Sequence, residues 1–190
     1  MKHNLFLEQV MPEFKLLDNR LKFEGRITTV YESDFLAPNG EQITREITRH
    51  PGAVCVVPIV ESEVVMIRQF RPAIGGYLFE IPAGKRDIDG ESPDITAHRE
   101  LQEEVGLSTN NLVELAQFYN SPGFCDEFSY CYMALDCEDV TDDRQGLEEE
   151  FMTIERIGMS DALTLVTSGE IVDAKTIIGL SLALQYLNGR

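Results

Sequence analysis

The stretch 84–107, GKRDIDGESPDITAHRELQEEVGL, constrains this chain more than any other. Ser92 stands where a helix N-cap belongs, Pro93 at the first helical position, and Gly106 where the helix must stop. Ala97, Leu101 and Val105 recur at i, i+4 and i+8, so one stripe of this short helix faces a core. Residues three and four apart share a helix face, which gathers Glu100, Glu103 and Glu104 into one carboxylate patch. That patch falls beside or opposite the apolar stripe and is expected to point outward. A Glu-rich helix face is ordinarily just a solvated surface. Like charges at this spacing repel, however, and hard divalent cations bind through a few carboxylates together with substrate phosphates. The helix therefore reads as a metal platform for phosphate chemistry.

The 190 residues fit one domain with a small N-terminal appendage, and 43% apolar residues suffice for a proper core. The net charge of −17 argues against a nucleic-acid backbone or an anionic membrane as partner, since both require basic patches. An acidic protein can still act on an anion if bound cations dominate the local field. No apolar run approaches the roughly 20 residues that span a bilayer. The first residues hold no signal-peptide core, so a cytoplasmic location is expected. The four cysteines (55, 125, 131 and 137) form no C-x-x-C pair and read as buried reduced thiols. Cys125, Cys131 and Cys137 recur every six residues, which in a strand would place them on one face.

Residues 1–48 alternate short β-like stretches, 21–24 and 27–31, with a hairpin signal at Pro38-Asn39-Gly40. They predict a small N-terminal antiparallel sheet joined near Pro51-Gly52 to a main domain, 49–190. Strands are expected at 53–60, 64–70 and 77–81, the last leading to Pro82-Ala83-Gly84. Beyond the helix, strands at 112–120 and 128–135 flank a loop, 121–127. An acidic loop, 136–150, precedes a strand at 151–157. Two helices close the chain: one from Ser160 or Asp161 to Gly169, the other from Asp173 to about Asn188. Gly179 inside the last helix signals close approach of another element. This order predicts an α+β arrangement.

Glu91, Arg99, Glu100, Leu101, Glu103, Glu104, Gly106 and Leu107 together resemble the Nudix box in residue type and spacing. One departure exists: six residues, 85–90, separate Gly84 from Glu91 where the family usually has five. The resemblance implies an α/β/α sandwich around a mixed sheet and hydrolysis of a nucleoside diphosphate linked to another group. It implies Mg²⁺, with Mn²⁺ as a substitute, held by Glu100, Glu104, Glu103 and the Ala83 carbonyl. Arg99 would orient the box carboxylates, through Glu91.

Features outside the box resemble the ADP-ribose pyrophosphatase branch. IRQFRP (67–72) and FEIPAG (79–84) match family segments, which implies ligand contacts from Arg71 and Arg68. In SPGFCDE (121–127), Pro122 lies sixteen residues past Gly106, a spacing that accompanies ADP-ribose-type specificity; Gly123 and Phe124 belong to the same substrate loop. Glu127 closes that loop and is implied to act on the attacking water, with Asp126 its competitor. TREITRHPGAV (44–54) carries Arg45, implied to contact a nucleobase or a second subunit, whereas His50 reads as a surface or turn residue. EIVDAKTIIGL (170–180) reads as packing rather than chemistry. A homodimer is expected because the extra N-terminal strands would be poorly covered in a monomer. Glu149 or Glu150 is a further candidate to close over the metals. The alternatives are GDP-mannose or another nucleoside diphosphate sugar as substrate, house-cleaning of oxidised nucleoside triphosphates, and a non-catalytic nucleotide sensor. The complete set of box glutamates counts against the sensor.

Overall fold

A computed structural model of the chain describes residues 11–141 and 150–189. Two compact units emerge: one runs to His50 and takes in Gly123–Asp126, the other holds Pro51–Pro122 and continues from Glu127.

The first unit is an antiparallel sheet of β1 (Lys15–Glu24), β2 (Thr29–Leu36) and β3 (Gln42–Arg49), in that order. β2 and β3 turn through Pro38-Asn39-Gly40, where Gly40 has φ 86° and donates to the Ala37 carbonyl at 2.9 Å. Arg20 on β1 is held between Asp18 and Asp34, both at 2.6 Å, and Glu32 at 2.9 Å. Leu16, Leu17, Leu21 and Phe23 of the same strand are each more than half exposed. The segment 123–126 is fastened to β3: Thr48 N–H donates to Phe124 O at 2.8 Å and Asp126 N–H to Thr48 O at 3.1 Å.

The second unit contains β4 (Ala53–Val60), β5 (Glu63–Arg71), β6 (Gly76–Glu80), β7 (Ala83–Lys85), α1 (Pro93–Val105), β8 (Leu107–Ser108), β9 (Asn111–Tyr119), β10 (Phe128–Leu135), β11 (Glu138–Asp139), β12 (Thr153–Gly158), α2 (Met159–Ser168) and α3 (Ala174–Asn188). Its seven-stranded sheet has the path β12-β5-β4-β10-β9, with β6 added to β5 and β7 to β4. β10 runs parallel to β4 and the other pairs are antiparallel, so the sheet is mixed. Alternation along a strand sends successive side chains to opposite faces. Val54 and Val56 of β4 thus pack with Ala97, Leu101 and Val105 of α1, whereas Cys55 and Val57 pack with Ala162 of α2 and Leu180 and Ala183 of α3. This is the α/β/α sandwich the resemblance implies.

One irregularity shapes the rest. β4 and β5 pair only at Ile59–Val64 and Val60–Glu63; beyond that they diverge, β6 completing β5 and β7 completing β4. The segment 80–83 fills the split. Val56 N–H donates to Pro82 O at 2.9 Å from one side, and Ile81 N–H donates to Thr176 Oγ1 of α3 at 3.0 Å from the other.

Several sequence expectations need correction. β1 and β2 are longer than the stretches 21–24 and 27–31, because cross-strand ion pairs around Arg20 extend pairing through polar residues. β12 begins at Thr153 and α2 begins at Met159, one residue before Ser160, with Gly158 as N-cap. The three evenly spaced cysteines do not share a strand: Cys131 alone lies on β10, with Cys125 before it and Cys137 after. Cys55 and Cys131 are buried, the other two only partly, and all four are free thiols. Glu149 lies outside the described residues, and Glu150 is exposed. Among the described residues, no helix is long and apolar enough to cross a membrane.

Gly179 does sit where α3 meets the sheet. A Cβ there would come within 2.8 Å of Ile81 Cδ1, 2.9 Å of Val57 Cγ2 and 3.3 Å of Cys131 Sγ. Overpacking of this kind destabilises by about 1–3 kcal/mol. Gly179→Ala is therefore expected to lower the thermal midpoint by several degrees, read by circular dichroism.

Candidate active site

The helix α1 starts as the sequence predicts, with extended Ser92 before Pro93, although the Ser92 side chain makes no capping hydrogen bond. It ends at Gly106 in the left-handed region, φ 62°, whose N–H caps the Gln102 carbonyl. The carboxylate patch does not point outward. Glu100 and Glu104 are buried, 8% and 4% exposed, because the row 96-100-104 lies immediately beside 97-101-105 and shares its burial.

Both carboxylates lean on β7. Glu104 Oε2 accepts from Ala83 N–H at 2.8 Å. The Glu100 carboxylate occupies the space a side chain would need at residue 84: an added Cβ would lie 1.8–2.2 Å from its carboxyl atoms. Gly84 is thus required by close approach, and the glycine opens the place where two acidic side chains reach the FEIPAG turn.

Arg99 organises the outer half of the patch. Its Nη1 donates to Glu100 at 2.7 Å and to Glu103 at 2.9 Å, its Nη2 and Nε reach Glu91 at 3.2 and 3.3 Å, and Thr96 Oγ1 donates to Glu91 at 2.7 Å. The hydrogen bonds from Arg99 and Thr96 hold the Glu91 carboxyl below the usual range. Burial works against the Arg99 charge, but Glu91, Glu100 and Glu103 outweigh it and raise its pKa.

A second network, around Glu80, is missing from the sequence reading. Glu80 is fully buried, yet it is ionised: Arg71 grips it with two hydrogen bonds, 2.7 and 2.5 Å, and Lys175 Nζ bonds the same carboxylate. Burial pushes the Glu80 carboxyl upward, and Arg71 with Lys175 more than reverses this, leaving it lowered. Lys175 also reaches Asp173 at 3.0 Å, and Asp173 caps α3 through Thr176 N–H at 3.0 Å and Thr176 Oγ1 at 2.6 Å. The segment 170–180, read as packing alone, therefore carries the counter-charge for Glu80. A lysine two residues after a helix N-cap was the available signal.

The other candidates are placed as follows. Arg68, half-exposed, lies 5.0 Å above the Phe79 ring and 3.4 Å from Glu155. Pro122 is exposed. Glu127 is partly buried; its backbone carbonyl accepts from Asn120 N–H at 3.1 Å, and its carboxylate has no partner among the described residues. Its competitor Asp126 is engaged, accepting from Arg49 Nη1 at 3.0 Å and His50 N–H at 2.9 Å. Gly123 and Phe124 are exposed in the first unit, as is Arg45, whose Nη1 donates to Thr44 O at 2.7 Å.

Among the described residues, no three His, Cys, Asp or Glu side chains already converge as a metal-ligand set. Arg99 draws Glu103, and one oxygen of Glu100, to itself. The donors nevertheless fit a hard cation in kind, all being oxygens: the buried carboxylates of Glu100, against Gly84, and Glu104, against Ala83, with Glu103 on the same helix and the Ala83 carbonyl.

Residues 48–177 match the NUDIX domain, and the chain belongs to the Nudix family. It is 39% identical over 176 residues to the ADP-ribose pyrophosphatase of Bacillus subtilis strain 168, covering 92% of each chain. It is also 38% identical over 177 residues to the methanol dehydrogenase activator of Bacillus methanolicus, again covering 92% of each. A crystal structure of an ADP compounds hydrolase superposes with a TM-score of 0.84 over 95% of this chain and 97% of its own; at 24% identity this speaks for the fold alone.

The lowered pKa of Glu80 sets a pH dependence. Its stabilising effect is fully present above the unfolded carboxylate value, about 4.3, and is lost as pH falls through the lower folded value. Glu80→Gln, which removes the carboxylate that Arg71 and Lys175 share and leaves Lys175 with Asp173, should cost about 3 kcal/mol at pH 7. The urea midpoints of wild type and variant should converge as pH is lowered through the acidic range.

Proposed function

We propose that this Nudix protein hydrolyses the pyrophosphate bond of nucleoside diphosphate sugars, with ADP-ribose preferred, giving a nucleoside monophosphate and a sugar phosphate. The observation that carries this reading is the Glu100–Glu104 pair buried against Gly84 and Ala83. The substrate assignment draws on the name of the B. subtilis relative and on the FEIPAG and SPGF segments.

Mg²⁺, or Mn²⁺ in its place, would be held by Glu100, Glu104 and the Ala83 carbonyl with help from Glu103, and would supply charge neutralisation at the pyrophosphate and a more acidic water. Glu127, whose carboxylate is uncommitted, takes the proton from the attacking water. The water oxygen bonds to phosphorus as the bridging P–O bond breaks, and the bridging oxygen leaves with one phosphate. Arg99 orients Glu91, Glu100 and Glu103 and does no chemistry. Arg71, fixed in aim by Glu80, meets a phosphate, with Arg68 and the loop residues Pro122, Gly123 and Phe124 on the substrate side. Arg45 contacts a nucleobase or a second subunit. A net charge of −17 supports a small anionic substrate brought in through cations rather than a nucleic acid or membrane, and a cytoplasmic setting suits a nucleotide substrate.

The exposed leucines and Phe23 of β1 support a homodimer through the N-terminal sheet. Light scattering at micromolar concentration should give about twice the 21.4 kDa chain mass; a particle of one chain mass removes the dimer.

The test of function is a hydrolysis panel of ADP-ribose, GDP-mannose, ADP-glucose and an oxidised nucleoside triphosphate, with Mg²⁺ and then with EDTA. Metal-dependent AMP and ribose 5-phosphate, with ADP-ribose ahead in kcat/KM, is expected. Comparable rates on several sugars would retain the chemistry and withdraw the preference. Glu104→Gln should lower kcat by several orders of magnitude while the fold survives; wild-type turnover in that variant would sink the metal assignment.

A further inference from the structure

Six residues separate Gly84 from Glu91, and the extra length is taken up beyond Arg86. β7 ends at Lys85, the Cα partner of Ala53 on β4, and Arg86 N–H still donates to Gly52 O at 3.1 Å. The next four residues, 87–90, are all exposed. Gly90 has φ 79°, and Glu91 N–H turns back to Ile88 O at 3.2 Å. Glu91 thus enters the box from a loop of exposed residues.

Arg86 bridges the two ends of that loop. Its Nη2 donates to Glu91 O at 3.4 Å, and its guanidinium lies 5.1 Å from the centroid of the Tyr130 ring on β10. β10 pairs with β4 on the side away from β7, so the side chain must cross β4 to reach it. It crosses at Gly52, where a Cβ would stand 3.9 Å from Arg86 Cδ and 3.0 Å from Phe128 O. Arg86 Nε is buried and has no hydrogen-bond partner among the described residues. The ring face of Tyr130 holds the cation instead. Beyond Glu91 the chain of contacts continues. The Glu91 carboxylate binds Arg99, and Arg99 binds Glu100 and Glu103. Arg99 Nη2 also touches Lys85 O, at the near end of the loop, at 3.4 Å. A shift of Glu91 is therefore passed to Arg99 and from it to two box carboxylates.

We infer that Arg86, seated on Tyr130, is a positioning residue for the Nudix box: it fixes the backbone of Glu91 and, through Glu91 and Arg99, the aim of Glu100 and Glu103. This rests on the metal-binding reading above. The turn 87–90 is looped out between two clamped ends, so an added residue there changes its outline and not the place of Glu91.

Arg86→Met keeps the stem and removes both the hydrogen bond to Glu91 and the cation above Tyr130. Mn²⁺ affinity, read by electron paramagnetic resonance on folded protein, should fall about tenfold. The Mg²⁺ concentration for half-maximal hydrolysis of ADP-ribose should rise by a like factor, while KM for ADP-ribose at saturating Mg²⁺ stays that of wild type. Tyr130→Leu removes the seat and should reproduce the loss, whereas Tyr130→Phe keeps the ring and should retain Mn²⁺ binding. The double variant, Arg86→Met with Tyr130→Leu, should bind Mn²⁺ no more weakly than either single one, because both act through one contact. Wild-type Mn²⁺ affinity in Arg86→Met or in Tyr130→Leu would overturn the inference and leave the function standing. Unfolding of both would make the contact structural and overturn it too. A wild-type protein that does not bind Mn²⁺ would remove the metal-dependent function and this inference together. Mn²⁺ binding without hydrolysis of ADP-ribose would remove the substrate reading and leave the inference to stand on the affinities.

Discussion

Glu80 is a carboxylate with no exposed surface, and the split in the sheet is organised around keeping it charged. An isolated buried carboxylate would take up a proton; two cations arranged about it prevent that. One comes from β5 and the other from the start of α3, so the ion pairs tie a strand on one side of the split to a helix on the other. The neighbouring backbone follows. Ile81 N–H is held by α3, Pro82 O by β4, and Ala83 N–H by Glu104 of the box helix. Four consecutive residues, Glu80–Ala83, are thus fixed from both faces of the sheet, and Gly84 is presented to α1 in one arrangement.

On that arrangement the chemistry of α1 depends. A helix laid against a flat sheet would bury only its apolar stripe. Here Gly84 removes a side chain at the point of contact, and Glu100 takes the space. Two acidic groups come to rest side by side in a poorly solvated position, where Arg99 bonds Glu91, Glu100 and Glu103 together. Self-repulsion of this kind is what a divalent ion relieves.

The box helix was legible because its signals are local: Pro93 at the start, Gly106 at the stop, and a period-four apolar stripe. The inward turn of Glu100 and Glu104 was not, since period alone cannot tell whether the row next to an apolar stripe meets solvent or a glycine on a facing strand. The hairpin at Asn39-Gly40 and the two closing helices were readable for the same local reasons. Glu80 was invisible because a glutamate in a strand ordinarily points to water, and its partners lie 9 and 95 residues away. Asp126 and Glu127 looked equivalent in sequence. They part only because Asp126 caps the end of β3 with Arg49 and His50 while Glu127 turns back to Asn120.

The most direct measurement is a Mn²⁺ titration followed by electron paramagnetic resonance, comparing wild type with Gly84→Ala. The added methyl displaces the Glu100 carboxylate, so Mn²⁺ affinity should fall by at least about tenfold while circular dichroism stays that of the wild type. Equal Mn²⁺ binding by the two proteins would contradict an ion site built at the Gly84 opening.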